Sequence, residues 1–293
     1  MSGQCFSTPG NPVGGSANMG TLYRGSLSVI SYFKHSEALG YYEGRNPVDF
    51  NLVEKQVVNL GGLVLAYGVT NKITAEMEVG YAIHNYQRYS FTPPVYVRAR
   101  GLSNGVFSIK TGLFQLSGIR LKAAGATGIK FPYSSNPRYQ DGMVVPVQIQ
   151  PSTNALGWVN QLYMTLENSF SGIRILAYSR LELNAQDQRQ YRYGSFLVNS
   201  VFLSKHQIKP MLGGDWTYIL QLRHEWAGID RYKGEAVSST GFQRMVLGPQ
   251  INYGIHELYN FSLMLELPLY RNVVGTQLAA RWAVMAGFST TFE

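Results

Sequence analysis

From about residue 26 onwards, apolar and polar residues alternate one by one, and the alternation is clearest at the end of the chain. There Ala280, Trp282, Val284, Ala286, Phe288, Thr290 and Phe292 interleave with Gln277, Arg281, Gly287 and Ser289. A period of two places successive side chains on opposite faces of a strand. The same rhythm predicts strands near 26–34, 58–70, 73–86, 105–116, 119–131, 155–166, 173–183, 193–203, 215–227, 242–255, 261–270 and 277–292. About twelve strands of this length, apolar on one face and polar on the other, predict an all-β fold: a transmembrane antiparallel up-and-down β-barrel. Phe292 stands where the last strand of a bacterial outer-membrane barrel carries its terminal aromatic, and is expected to be the signal read by the outer-membrane assembly machinery.

The connections support this topology. Asn71-Lys72, Ser117-Gly118, Asn168 to Gly172, Ser204 to Pro210 and His256 to Asn260 are short. His35 to Gln56, Arg88 to Asn104, Pro132 to Asn154, Asn184 to Arg192 and Gly228 to Gly241 are longer and more polar. Short periplasmic turns alternating with long extracellular loops are the habit of such barrels. Arg271 to Gly275 is short where a long loop is expected.

Lipid outside a barrel assigns the faces. In the third strand Ile73, Ala75, Met77, Val79, Tyr81 and Ile83 point outward, leaving Glu76, Glu78 and His84 inward. Lys110 joins them from the fourth strand, and Arg120, Lys122 and Lys130 from the fifth. The later strands add Arg174, Arg180, Glu182, Arg223, Glu225, Arg244, Glu266 and Arg281. Arg or Lys at the bilayer midplane costs about 2–4 kcal/mol, which inward placement avoids. These residues are the candidate lumen lining. One arrangement is a water-filled path whose charges select solutes. The other is a plugged interior in which Glu76, Glu78 and Glu266 pair with Arg120, Lys122 and Arg281. Aromatics near strand ends, among them Tyr32, Phe33, Tyr67, Trp158, Tyr218 and Trp226, read as interface girdles.

Composition sharpens the picture. The chain has 20 Tyr, 14 Phe and 31 Gly, and only 14% charged residues, against about 25% in soluble domains. No apolar run approaches the roughly 18 residues of a membrane-spanning helix, which excludes a helical membrane protein. The formal charge of +8 is dispersed. Loop bases such as Arg88, Arg98, Arg100, Arg138, Arg189, Arg192, Arg231 and Lys233 suit the phosphates of outer-membrane lipids, and no nucleic-acid motif is present. The first segment, 1–20, reads as a flexible periplasmic tail and 21–293 as a single barrel, with a signal peptide expected to have been removed. Cys5 is the single cysteine, so no intrachain disulfide forms.

Catalysis finds little support. His84 beside Glu76 and Glu78 has the makings of a base, and His224 stands near the outer rim, but no motif marks a nucleophilic serine. No zinc-type spacing occurs, and no cofactor is implied. The chain reads as a non-enzyme.

Gly248-Pro249-Gln250-Ile251-Asn252-Tyr253, Glu266-Leu267-Pro268-Leu269-Tyr270, Gly275-Thr276-Gln277-Leu278 and the closing stretch from Arg281-Trp282 to Phe292 resemble the outer-membrane proteins of the "meta-pathway of phenol degradation" family. Val145-Pro146-Val147-Gln148-Ile149-Gln150-Pro151 looks similar too. The resemblance is carried by the second half of the chain. It implies an outer-membrane transporter of hydrophobic or aromatic small molecules. Two functions are therefore expected in turn: a channel or transporter for small solutes, or a plugged structural barrel that holds protein partners through its loops or periplasmic turns.

Overall fold

Each alternating segment pairs antiparallel with its neighbours in sequence, which is how short turns constrain an up-and-down sheet. The computed structural model describes residues 20–116, 119–134, 136–168, 171–207, 213–255 and 258–292. The expected tail from Gln4 to Met19, with Cys5, the turn at Ser117-Gly118 and His256 lie outside the described residues. The elements are β1 (Leu27–Gly44), β2 (Asn46–Val48), β3 (Val53–Thr70), β4 (Ile73–Tyr89), β5 (Val95–Leu116), β6 (Leu121–Pro132), β7 (Tyr139–Gln140), β8 (Met143–Val144) and β9 (Gly157–Asn168). There follow β10 (Ile173–Asn184), β11 (Tyr191–Arg192), β12 (Phe196–His206), β13 (Asp215–Ala227), β14 (Arg231–Tyr232), β15 (Glu235–Ala236), β16 (Phe242–Ile255) and β17 (Tyr259–Phe292).

Eleven of these bond in the order β17-β16-β13-β12-β10-β9-β6-β5-β4-β3-β1, and β17 then pairs with β1, closing the sheet. The seam runs from Leu27 opposite Phe292 to Gly44 opposite Val273. β2 bonds outside the ring on β1. Closure leaves no free edge in the ring itself, so each of its strands finds backbone partners on both sides without water.

β17 is 34 residues long, about 110 Å if straight. Yet the rings of Phe261 and Phe288 lie 5.2 Å apart. The element is therefore a hairpin, its first limb on β16 and its second on β1. Gly275 at the fold-back has a φ of 69°, a left-handed conformation that glycine adopts without penalty. The barrel thus has twelve crossings, as the sequence rhythm predicts, and the short connection before Gly275 is this tight turn.

One side of the wall is tall. β1, β3, β4 and β5 run for 18, 18, 17 and 22 residues, whereas β6, β9 and β10 have 12 each. Much of 35–56 and 88–104, expected as loop, is strand. Above the apolar band both faces of a strand meet polar surroundings, so the apolar alternation fades while the hydrogen-bonded ladder continues.

Outward residues such as Leu65, Phe107, Ile109, Leu162, Ile175, Val201, Leu220 and Leu263 are exposed. Inward ones, including Glu76, Glu78, Lys110, Gln161, Arg180 and Gln221, are buried. An apolar exterior around a polar interior is the arrangement of a barrel that stands in lipid.

Candidate functional site in the barrel interior

Strict alternation along β4 aims Glu76 and Glu78 into the barrel, and β5, β6 and β10 bring the complementary charges. Lys110 Nζ lies 2.6 Å from Glu76 and 4.3 Å from the centre of the Tyr163 ring. Arg180 donates from Nη1 to both oxygens of Glu78, each at 3.0 Å, and from Nε to Glu182 at 2.8 Å. Lys130 reaches the other Glu182 oxygen at 2.9 Å. Three carboxylates thus meet three cations, and this network is neutral.

A second network forms from β1, β13, β16 and β17. Arg223 grips Glu266 through two parallel bonds of 3.0 and 2.8 Å, the bidentate geometry that favours arginine. Lys34 donates to the same carboxylate at 2.9 and 2.8 Å. Arg223 Nε stands 2.7 Å from Glu225, which also accepts from Arg244. Three cations share two carboxylates, leaving one positive charge.

β4 and β10 are not neighbours: β5, β6 and β9 stand between them. The Glu78–Arg180 pair is therefore a chord across the interior. Arg180 is only 1% exposed, so at this level the interior is filled by side chains rather than by a wide aqueous path. Tyr32 belongs here too. Its ring lies over Gly62, where an added Cβ would stand 2.1 Å from Tyr32 Cζ. Tyr178 and Tyr163 share Gln161 Oε1 as an acceptor.

Apolar layers flank the charged waist. Towards the periplasmic turns lie Ala124, Ala126, Leu176, Phe202 and Ile219, and towards the long loops Ala38, Tyr41, Val53, Val58 and Leu278. The connection after β8 then folds inward. Val145 and Ile149 are buried against Ala99 of β5, Asn85 Nδ2 donates to the Ile149 carbonyl, and Ser152 and Thr153 donate to Asn104 Oδ1. The mouth on the long-loop side is thus lined by a loop pinned to the β4–β5 wall.

Of the expected lumen residues, Glu76, Glu78, Lys110, Lys130, Arg180, Glu182, Arg223, Glu225, Arg244 and Glu266 come together in these two networks. Five do not. A register shift between Ala82 and Asn85 reverses the alternation, so Asn85 is buried and His84 is exposed. Arg120 is a turn residue with a φ of 50°, and it and Lys122 are exposed at the periplasmic rim. Arg174 pairs with Glu167 at 2.9 Å near the same rim. Arg281 falls in a register shift opposite Glu37 and Ala38 and is exposed. The expected partners of the carboxylates are thus replaced by Lys110, Arg180, Lys34 and Arg223. Sequence reasoning missed Lys34, at the very end of the predicted first strand, and assigned Tyr32 to a girdle. Its inward parity with Ser28 and Ile30 was the available signal.

Tyr67, Trp158, Tyr218 and Trp226, expected in the girdles, are exposed near strand ends; Phe33 is exposed too, but it stands mid-strand at the level of the waist, between Tyr32 and Lys34. Among the loop bases, Arg88 and Arg189 are engaged by Glu54 and Asp187. Outside the membrane band, Tyr191 donates to Asp230 at 2.5 Å. Burial, reinforced by that carboxylate, pushes the Tyr191 hydroxyl far above the usual tyrosine range. This contact ties the small sheet β11-β14-β15 together over the rim.

No known protein family matches the chain, so the phenol-degradation resemblance has no matching family behind it. No curated protein matches either. Solved structures do. The COG4313 outer membrane channel from Pseudomonas putida F1 is similar over 94% of this chain and 98% of its own, with a TM-score of 0.71 at 13% identity. The β domain of the Bordetella autotransporter Brka is similar over 92% and 100%, with a TM-score of 0.52 at 12% identity. The likeness is one of fold.

Proposed function

We propose that this protein is a gated channel for small solutes in the bacterial outer membrane, held closed at its waist by the Glu78–Arg180 chord and the Lys34–Glu266–Arg223 cluster. The observation that carries the reading is that paired charges, with apolar layers on either side of them, close the interior at its waist. A permanently filled barrel has little use for them, because buried ion pairs replaced by well-packed apolar residues are often equally or more stable. Charges serve a gate better. When the pairs part, water solvates both halves, whereas parted apolar faces do not wet. The whole-length similarity in fold to an outer membrane channel supports the reading. Tyr32, Tyr163 and Tyr178 beside these charges suit solutes that carry both polar and aromatic surface.

Single-channel recording in planar bilayers tests this. Wild-type barrel should show rare, brief openings, and Glu78→Gln should raise the open fraction at least tenfold. Silence from both, in barrels shown to be folded by heat-modifiable migration on a gel, would favour the plugged structural barrel.

A further inference from the structure

The outer wall carries polar side chains where lipid-facing residues are otherwise apolar. On β10 and β12 Ser179 donates to Asn199 Oδ1 at 2.8 Å, and on β13 and β16 Gln243 Nε2 lies 2.9 Å from His224 Nε2. Asn199 and His224 are directly opposed across the β12–β13 ladder. They face the same way as exposed Val201 and Leu222, opposite to the buried lumen residues Ser200 and Arg223. Beneath them is a groove of about 300 Å³ whose walls include Leu162, Met164, Val201, Leu222 and Met245. It exists because small Ala177 and Ser179 stand between larger neighbours.

The hydrogen bonds define what the upper edge offers. Gln243 can only donate from Nε2, so His224 Nε2 accepts and the imidazole proton sits on Nδ1. Ser179 occupies the Asn199 carbonyl, which leaves Nδ2 as the free end of that amide. Two neighbouring positions thus present donors to a ligand acceptor. Their depth fits: Trp226, an exposed ring of the girdle, is two residues further along β13, and ester carbonyls lie just below such rings in a bilayer. Below them the groove is hydrocarbon.

We propose that this groove holds one ester-linked acyl chain of an outer-membrane lipid, with the chain's ester carbonyl accepting from Asn199 and His224. Lipid surrounds the whole barrel, but here size, polarity and depth together select an ester-linked chain. The site is separate from the lumen, so it stands or falls independently of the channel reading.

Native mass spectrometry of detergent-solubilised barrel, supplied with a diester phospholipid or its diether analogue of the same headgroup and chain length, tests the proposal. The diester should be retained roughly tenfold better, the effect of two modest hydrogen bonds in an apolar setting. Ala177→Phe, which fills the groove, should abolish retention, and the milder Ala177→Leu should weaken it. Asn199→Ala with His224→Ala should bring the diester down to the diether level. Equal retention of the two lipids overturns the proposal, as does undiminished retention by a folded Ala177→Phe barrel. Dimers that Ala177→Phe disperses would also overturn it, by making the groove a contact between copies.

Discussion

Arg180 and Glu78 meet across the barrel interior from strands separated by three others, with one guanidinium nitrogen 3.0 Å from each carboxylate oxygen. A contact of this kind restrains opposite walls, which adjacent-strand pairs cannot do. It also makes the two residues unequal to remove singly or together. Arg180→Met leaves Glu78 buried without its partner and should destabilise the barrel by about 3–5 kcal/mol, whereas the double variant Arg180→Met with Glu78→Leu should recover most of that loss. Urea unfolding of barrel reconstituted in vesicles measures both. A double variant as unstable as the single one would refute the chord as an ion pair.

The second prediction concerns Gly62 and Tyr32. A methyl at position 62 would stand 2.1 Å from Tyr32 Cζ, inside any van der Waals contact, in an interior that is already filled. Gly62→Ala should therefore cost about 1–3 kcal/mol. Adding Tyr32→Leu should remove most of this penalty. If Gly62→Ala is neutral in unfolding experiments, the ring does not rest on the strand.

How far the sequence disclosed this arrangement depended on how long the alternation ran unbroken. Along β4 from Ile73 to Ala82 it never slips, and Glu76 and Glu78 were legible as interior residues. His84 lies two residues beyond, past a register shift that nothing in its side chain announces, and it faces outward. Arg281 failed for the same reason. Arg120 and Lys122 were assigned by parity in a strand that begins only at Leu121. Apolar alternation ends the first strand at 34, whereas β1 runs on to Gly44, so the mid-wall positions of Tyr32 and Lys34 look like a rim in the sequence. The pairing of Glu78 with Arg180 was beyond reach, since periodicity gives the face of a residue but not which distant wall stands opposite.

The mouth loop supplies a third prediction. Ile149 is fully buried with Val145 against Ala99, although it belongs to a connection and not to the wall. Ile149→Ala should remove about 2–5 kcal/mol of local packing while leaving the hydrogen-bonded strands intact. Proteinase K cleavage within 145–155 should rise more than tenfold, because proteolysis follows the population of the open form when opening is fast. Unfolding of the barrel itself should change little. An unaltered cleavage rate would mean that the loop is held by something other than this apolar contact.

The rim sheet should respond to alkali. Tyr191 is held protonated by burial and by Asp230, so its folded-state pKa lies above the unfolded value of about 10. A raised pKa means that the folded protein binds the proton more tightly. The resulting stability is complete below about pH 10 and is lost as pH climbs above it towards the folded-state value. At neutral pH Tyr191→Phe removes a hydrogen bond to a charged group, a loss of about 1.5–3 kcal/mol. The difference from wild type should shrink above about pH 10, where the hydroxyl ionises in the unfolded chain while the folded protein still holds its proton. Absorbance at 295 nm resolves the site directly. Phenols in water ionise near pH 10, and Tyr191→Phe should subtract one phenolate from the late phase only. Loss of that phenolate from the early phase would show that Tyr191 titrates freely and does not clasp Asp230.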